Sequence, residues 1–126
     1  MLLGLRTVIY PTASLEEAKN CATRILGVKP YFDQPFYVGY NVAGYEFALD
    51  PNEDPAADPT SYWGAADVDI AVTEMVQSGA TVRSSVRDVG DRIRLATLDL
   101  PGIGVLGLIE NPHFELQQTT SVGPGR

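Results

Sequence analysis

The stretch DVDIAVTEMVQSGATV, residues 67–82, decides how this chain folds. Asp69 suits an N-cap, Ile70, Val72, Met75 and Val76 supply the apolar side of a helix over 70–78, and Gly79 ends it. The same order stands earlier in SLEEAKNCATRILGV, residues 14–28. There Ser14 and Glu17 make a capping-box pattern, and Leu15, Ala18, Ala22, Ile25 and Leu26 recur at helical spacing. Gly27 takes the left-handed position after a helix over 15–26.

Strand signals surround both helices in the same order. LRTVIY (5–10) is rich in β-branched residues and stops at Pro11; KPYFDQP, FYVGYNV and GYEFALD follow the first helix, the last two joined across Ala43-Gly44. The acidic, proline-rich PNEDPAADP (51–59) closes this first half. SYWGAAD then precedes the second helix, and ATVRSSV, RIRLATLD and GVLGLIE follow it, separated by DVGD and LPGIG. The unit βαβββ is therefore written twice, which reads as an internal duplication. The expectation is an α+β fold in which two βαβββ modules form an open, curved mixed sheet around a cavity. Module one covers about 5–50 and module two about 60–112 of a single domain over 1–114, with a flexible tail at 115–126.

With 126 residues, 44% of them hydrophobic, the chain can bury the core such a domain needs. Sixteen acidic against nine basic residues give a net charge of −7, which repels a nucleic-acid backbone and excludes it as a partner. The apolar start MLLGLRTVIYP is broken by Arg6 and Pro11 short of a membrane span, so no membrane association is expected. The lone cysteine, Cys21, cannot form an internal disulfide; its helical setting suggests a small buried residue, and a reducing, cytoplasmic compartment.

The helix 67–82, the closing GVLGLIENPHF and the first helix ending in Leu-Gly together resemble the vicinal oxygen chelate superfamily, the glyoxalase/bleomycin-resistance/extradiol dioxygenase group, over roughly residues 5–114. The resemblance implies paired modules enclosing a cavity, often completed in a homodimer. In enzymes of the group it also implies a divalent metal on the concave face, held by His and Glu, that binds two neighbouring substrate oxygens as a Lewis acid. Carried over by register, the ligand positions fall at Thr7, Ala48, Thr60 and Gly107, which offer two hydroxyls and two bare positions instead of metal ligands. The chain's one histidine, His113, follows the last strand, so a two-histidine site within one protomer is ruled out. No metal and no cofactor are expected.

Strands alternate faces. If Ala48 faces the cavity, so do Glu46 and Asp50, while Tyr45, Phe47 and Leu49 pack under the helix; Thr7, Ile9, Tyr62, Val105 and Gly107 share the concave face. The expected ligand-binding set is Thr7, Ile9, Glu46, Ala48, Tyr62 and Gly107. Glu46 is the candidate cavity carboxylate, able to bind a cationic or amide-bearing ligand or to move a proton. Arg83, Arg87, Arg92 and Arg94 could meet an anion, or form a solvated face with Asp88, Asp91 and Asp99. Trp63, Phe36, Tyr37 and Tyr40 read as core or interface.

Three functions are compatible with this pattern. The first is a metal-free protein that binds a small organic molecule in the concave cavity. The second is a metal-independent lyase or isomerase with Glu46 as general base and Tyr62 or a threonine as electrophilic partner. The third is a dimeric interaction module with a vestigial cavity.

Overall fold

The computed structural model describes residues 2–115. Its elements run β1 (Gly4–Pro11), α1 (Leu15–Leu26), β2 (Phe32–Gln34), β3 (Tyr37–Val42), β4 (Tyr45–Asp50), β5 (Thr60–Gly64), α2 (Val68–Gln77), β6 (Thr81–Asp88), β7 (Arg94–Leu100) and β8 (Gly104–Glu110). The strands form one open eight-stranded sheet in the order β2-β3-β4-β1-β5-β8-β7-β6. Outward from the centre, β1-β4-β3-β2 on one side repeats as β5-β8-β7-β6 on the other. Each module has one parallel pair, β1 with β4 and β5 with β8, and the modules join where β1 runs antiparallel to β5. The fold is α+β and built twice, as the sequence predicts. The flexible tail expected at 115–126 lies outside the described residues, apart from Glu115.

Both helices cover the face of the sheet that alternation assigns to them. Phe47 and Leu49 of β4 pack with Leu15, Ala18, Ala22 and Leu26 of α1. Leu108 of β8 and Ala96 and Leu98 of β7 pack with Val68, Ala71 and Met75 of α2. Leu98 and Leu108 are fully buried, so truncating either to Ala would cost about 2–5 kcal/mol. Glu46, Ala48 and Asp50 are left for the opposite, concave face. Tyr45, expected under the helix, starts its strand beyond that cover, and its ring tilts against Phe114 at 6.4 Å.

The helix ends differ from expectation in their donors. Ser14 makes no side-chain cap; instead the Ser14 amide donates to Thr12 Oγ1 at 3.1 Å, so no capping box forms. Gly27 does take the left-handed conformation, with φ 72°. The cap of α2 is Asp67 rather than Asp69: its carboxylate accepts from the amides of Asp69 at 2.9 Å and Ile70 at 3.1 Å. Starting the helix two residues earlier rotates the buried face to Val68, Ala71 and Met75 and leaves Ile70 and Val76 exposed. Glu110, at the end of β8, accepts from the Val68 amide at 3.0 Å and from Arg94 at 3.0 Å, which ties the last strand to the start of α2. Cys21, expected to be buried, is exposed. No helix among the described residues is long and apolar enough to cross a membrane.

Candidate functional site

The concave face is organised about the β1–β5 junction. Thr7 lies opposite Tyr62 and Ile9 opposite Thr60; on the outer sides Ile9 lies beside Ala48 and Tyr62 beside Gly107. Thr7 and Thr60 precede the helix caps Ser14 and Asp67 by equal intervals, so a twofold relation exchanges the modules. Under it Ile9 corresponds to Tyr62 and Ala48 to Gly107. Above this floor lies a cavity of about 700 Å³, whose walls include Ile9, Glu46, Tyr62, Arg87 and the aromatic rings between residues 31 and 37.

Glu46 is the hub of the first module's wall. Its Oε1 accepts from Thr7 Oγ1 at 2.8 Å and from the Tyr37 hydroxyl at 2.8 Å, while Oε2 accepts from the Tyr31 hydroxyl. Thr7 is 4% exposed, so its hydroxyl is committed to this bond. Three hydroxyl donors hold the carboxylate in place without supplying a cation. The two phenols are affected in turn. Burial first, and then the charge and hydrogen bond of Glu46, push both Tyr31 and Tyr37 well above the usual tyrosine range, so both keep their protons and remain donors.

Two glycines make these placements possible. A Cβ at Gly39 would come within 2.6 Å of Glu46 Oε2 and 3.1 Å of the Tyr31 ring. A Cβ at Gly107 would come within 2.7 Å of Tyr62 Cγ, because the Tyr62 ring lies flat across β8 at that point. The bare position at 107 is thus filled by a neighbour's ring.

On the far side stands Arg87, among the described residues the one basic side chain in the cavity wall. Burial raises Tyr62 above its usual range, Arg87 opposes that shift, and Glu53 and Asp50 add to it. The Tyr62 hydroxyl thus feels both a cation and two carboxylates of the same cavity. Two of the other arginines are engaged elsewhere, Arg83 with Asp99 at 3.2 Å, and Arg94 with Asp69 at 2.9 Å and Glu110 at 3.0 Å, while Arg92 does not line the cavity. The expected arginine cluster is dispersed, with only Arg87 turned to the cavity. His113 reaches the backbone carbonyl of Asp91 at 3.0 Å, outside any catalytic grouping.

Of the six expected binding positions, Thr7, Ile9, Glu46 and Tyr62 line the cavity, and Thr60 joins them. Ala48 is fully buried in the floor and Gly107 lies beneath Tyr62, so neither reaches the cavity, and Val105 does not line it. Phe36 and Tyr37, read from sequence as core or interface, face the cavity with Tyr31 and Phe32; Tyr40 alone of that set is core, its hydroxyl donating to the Lys19 carbonyl at 2.9 Å. Alternation along β3 separates Tyr37 from Tyr40: Val38 and Tyr40 pack toward α1, while Tyr37 shares the face of Gly39, which lies opposite Ala48.

The metal site implied by the resemblance does not fit these residues. Thr7 is turned to Glu46, Ala48 is a buried methyl, Thr60 offers one hydroxyl and Gly107 is roofed by a ring. Among the described residues no group of three His, Cys, Asp or Glu stands close enough to hold a metal ion.

Neither a protein-family model nor a curated protein matches the sequence. Solved structures do match its shape. A Streptomyces coelicolor methylmalonyl-CoA epimerase variant, in complex with 2-nitronate-propionyl-CoA, superposes with a TM-score of 0.69 at 14% identity, covering 89% of this chain and 99% of that one. A glyoxalase/bleomycin resistance protein/dioxygenase superfamily member from Vibrio splendidus 12B01 gives 0.64 at 14%, over 84% and 97%. A protein described as an NAD-dependent benzaldehyde dehydrogenase from Legionella pneumophila gives 0.67 at 11%, over 82% and 96%. Identities this low establish a shared fold and leave the chemistry to the site.

Proposed function

From a vicinal oxygen chelate fold whose metal positions carry Thr7, Ala48, Thr60 and Gly107, we propose that this chain binds a small organic molecule in its concave cavity without a metal ion. The observation that carries the reading is Glu46, a carboxylate fixed by three hydroxyls and left without a cation among the described residues. Its charge faces a cavity of drug-like size beside the rings of Tyr31, Phe32, Phe36 and Tyr37. A carboxylate beside aromatic faces suits an organic ammonium group, which gains both from the charge and from the rings' electron-rich faces. The net charge of −7 further concentrates cations near the protein.

The same three bonds count against Glu46 as a general base. A base must take the proton it removes onto a free lone pair, and three hydroxyl donors already occupy acceptor positions of this carboxylate. The open volume likewise counts against a vestigial cavity. A cytoplasmic homodimer belongs to the same reading, supported by the single cysteine and by a sheet left open at its β2 and β6 edges.

Calorimetric titration with tryptamine, a compact aromatic ammonium, tests the reading. Wild-type protein should show saturable binding, weakened roughly 5-fold in Glu46→Gln, as befits loss of an ion pair worth about 1 kcal/mol at a half-exposed site. No saturable binding, or equal binding by Glu46→Gln, would overturn it.

A further inference from the structure

Resting on the ligand-binding reading above, we propose that Arg87 and the Tyr62 hydroxyl form a carboxylate-accepting subsite across the cavity from Glu46, so that the ligand is amphoteric, with an acidic as well as a basic group. The orientation of Arg87 is the first support. Ser84 pairs with Thr97 and Arg87 with Leu95, so three steps along β6 match two along β7, which is a β-bulge. Simple alternation would send Ser84 and Arg87 to opposite faces. The bulge turns both to the face of Thr97 and Leu95, and Leu95 lines the cavity with Arg87, while Val86 packs into the core under α2.

Availability is the second support. Arg83 and Arg94 are bound to carboxylates, whereas Arg87 makes no ion pair among the described residues, although Asp50, Glu53, Asp58 and Asp91 also line the cavity. The Tyr62 ring is buried over Gly107, and its hydroxyl has no hydrogen-bond partner among the described residues. Raised by burial, that hydroxyl keeps its proton and can donate. A guanidinium fork with an adjacent phenol donor matches a carboxylate, which accepts paired hydrogen bonds. The surrounding acids disfavour a dianion such as phosphate and tolerate a carboxylate whose charge is balanced by the ligand's own ammonium group.

The test compares tryptamine with tryptophan and glycyl-tryptophan, two spacings of ammonium and carboxylate, by calorimetry on the full chain, its Arg87→Gln variant and its Tyr62→Phe variant. Arg87 is exposed and Tyr62→Phe keeps the ring over Gly107, so both variants should fold. In the wild type the better amphoteric probe should bind about 10-fold tighter than tryptamine, the gain expected of a charge-assisted hydrogen-bonded pair. That ratio should fall to about one in Arg87→Gln and to an intermediate value in Tyr62→Phe. Tryptamine binding as tightly as both amphoteric probes, or a ratio that survives Arg87→Gln, would overturn the subsite while leaving the ammonium reading intact. Binding of none of the three would overturn both.

Discussion

The Tyr62 ring lies across Gly107, so that a Cβ at 107 would stand 2.6 Å from Tyr62 Cε2. The pairing explains why β8 carries a glycine between Leu106 and Leu108, both packed toward α2. Gly107→Ala should destabilise the protein by about 1–3 kcal/mol through overpacking. Most of that loss should vanish in the Tyr62→Ala background, a coupling that urea denaturation of the four-member cycle measures directly. Equal losses in both backgrounds would mean that the ring does not rest there.

Glu46 and its hydroxyls should behave as one unit. Tyr37→Phe removes a donor from a half-buried carboxylate and should cost about 1–3 kcal/mol. In a Glu46→Leu background the same change should cost much less, because the phenol then has no carboxylate to serve. Additive losses would show that the hydrogen bond carries no stability.

Alkaline pH should expose the three raised phenols. Tyr31, Tyr37 and Tyr62 all titrate above their usual range in the folded chain, whereas unfolded tyrosines ionise near pH 10. Above about pH 10 the unfolded chain therefore binds fewer protons than the folded one, and stability falls as pH rises through that point; below it their contribution is fully present. Near-ultraviolet titration should find these phenols still protonated in native protein when a denatured control has ionised all six tyrosines. Coincident native and denatured curves would contradict the burial of the site.

Glu110, the acid that ends the last strand, has a structural role. It accepts from the Val68 amide and from Arg94, so Glu110→Ala should lower stability by roughly 1–2 kcal/mol, the size of a lost helix cap. Tryptamine binding, measured below the melting transition, should stay at the wild-type value. A binding loss without a stability loss would reverse that assignment.

The architecture was legible because its signals are local and repeated. Alternation along YEFALD sends Phe47 and Leu49 to the helix and Glu46 to the cavity, and the structure agrees. Asp67 displaced Asp69 as the cap because two carboxylates compete two residues apart, and the helix face turned with it. The aromatic wall was only partly legible: alternation sets Tyr37 on the face opposite to Tyr40, three residues on in β3, whereas Tyr31 and Phe36 lie outside the strands, where alternation assigns no face. Arg87 was indistinguishable from Arg83 and Arg94 because a bulge, which leaves no clear mark in RSSVRD, sets its direction.

The central claim is that the cavity accepts an organic ligand without a metal ion. Calorimetric titration of chelator-treated protein with tryptamine, repeated after adding nickel, zinc, manganese or iron(II), tests it most directly. The account predicts the same saturable binding in every case and no stoichiometric uptake of any of the metals. Binding that appears only once a metal has been taken up stoichiometrically would contradict it.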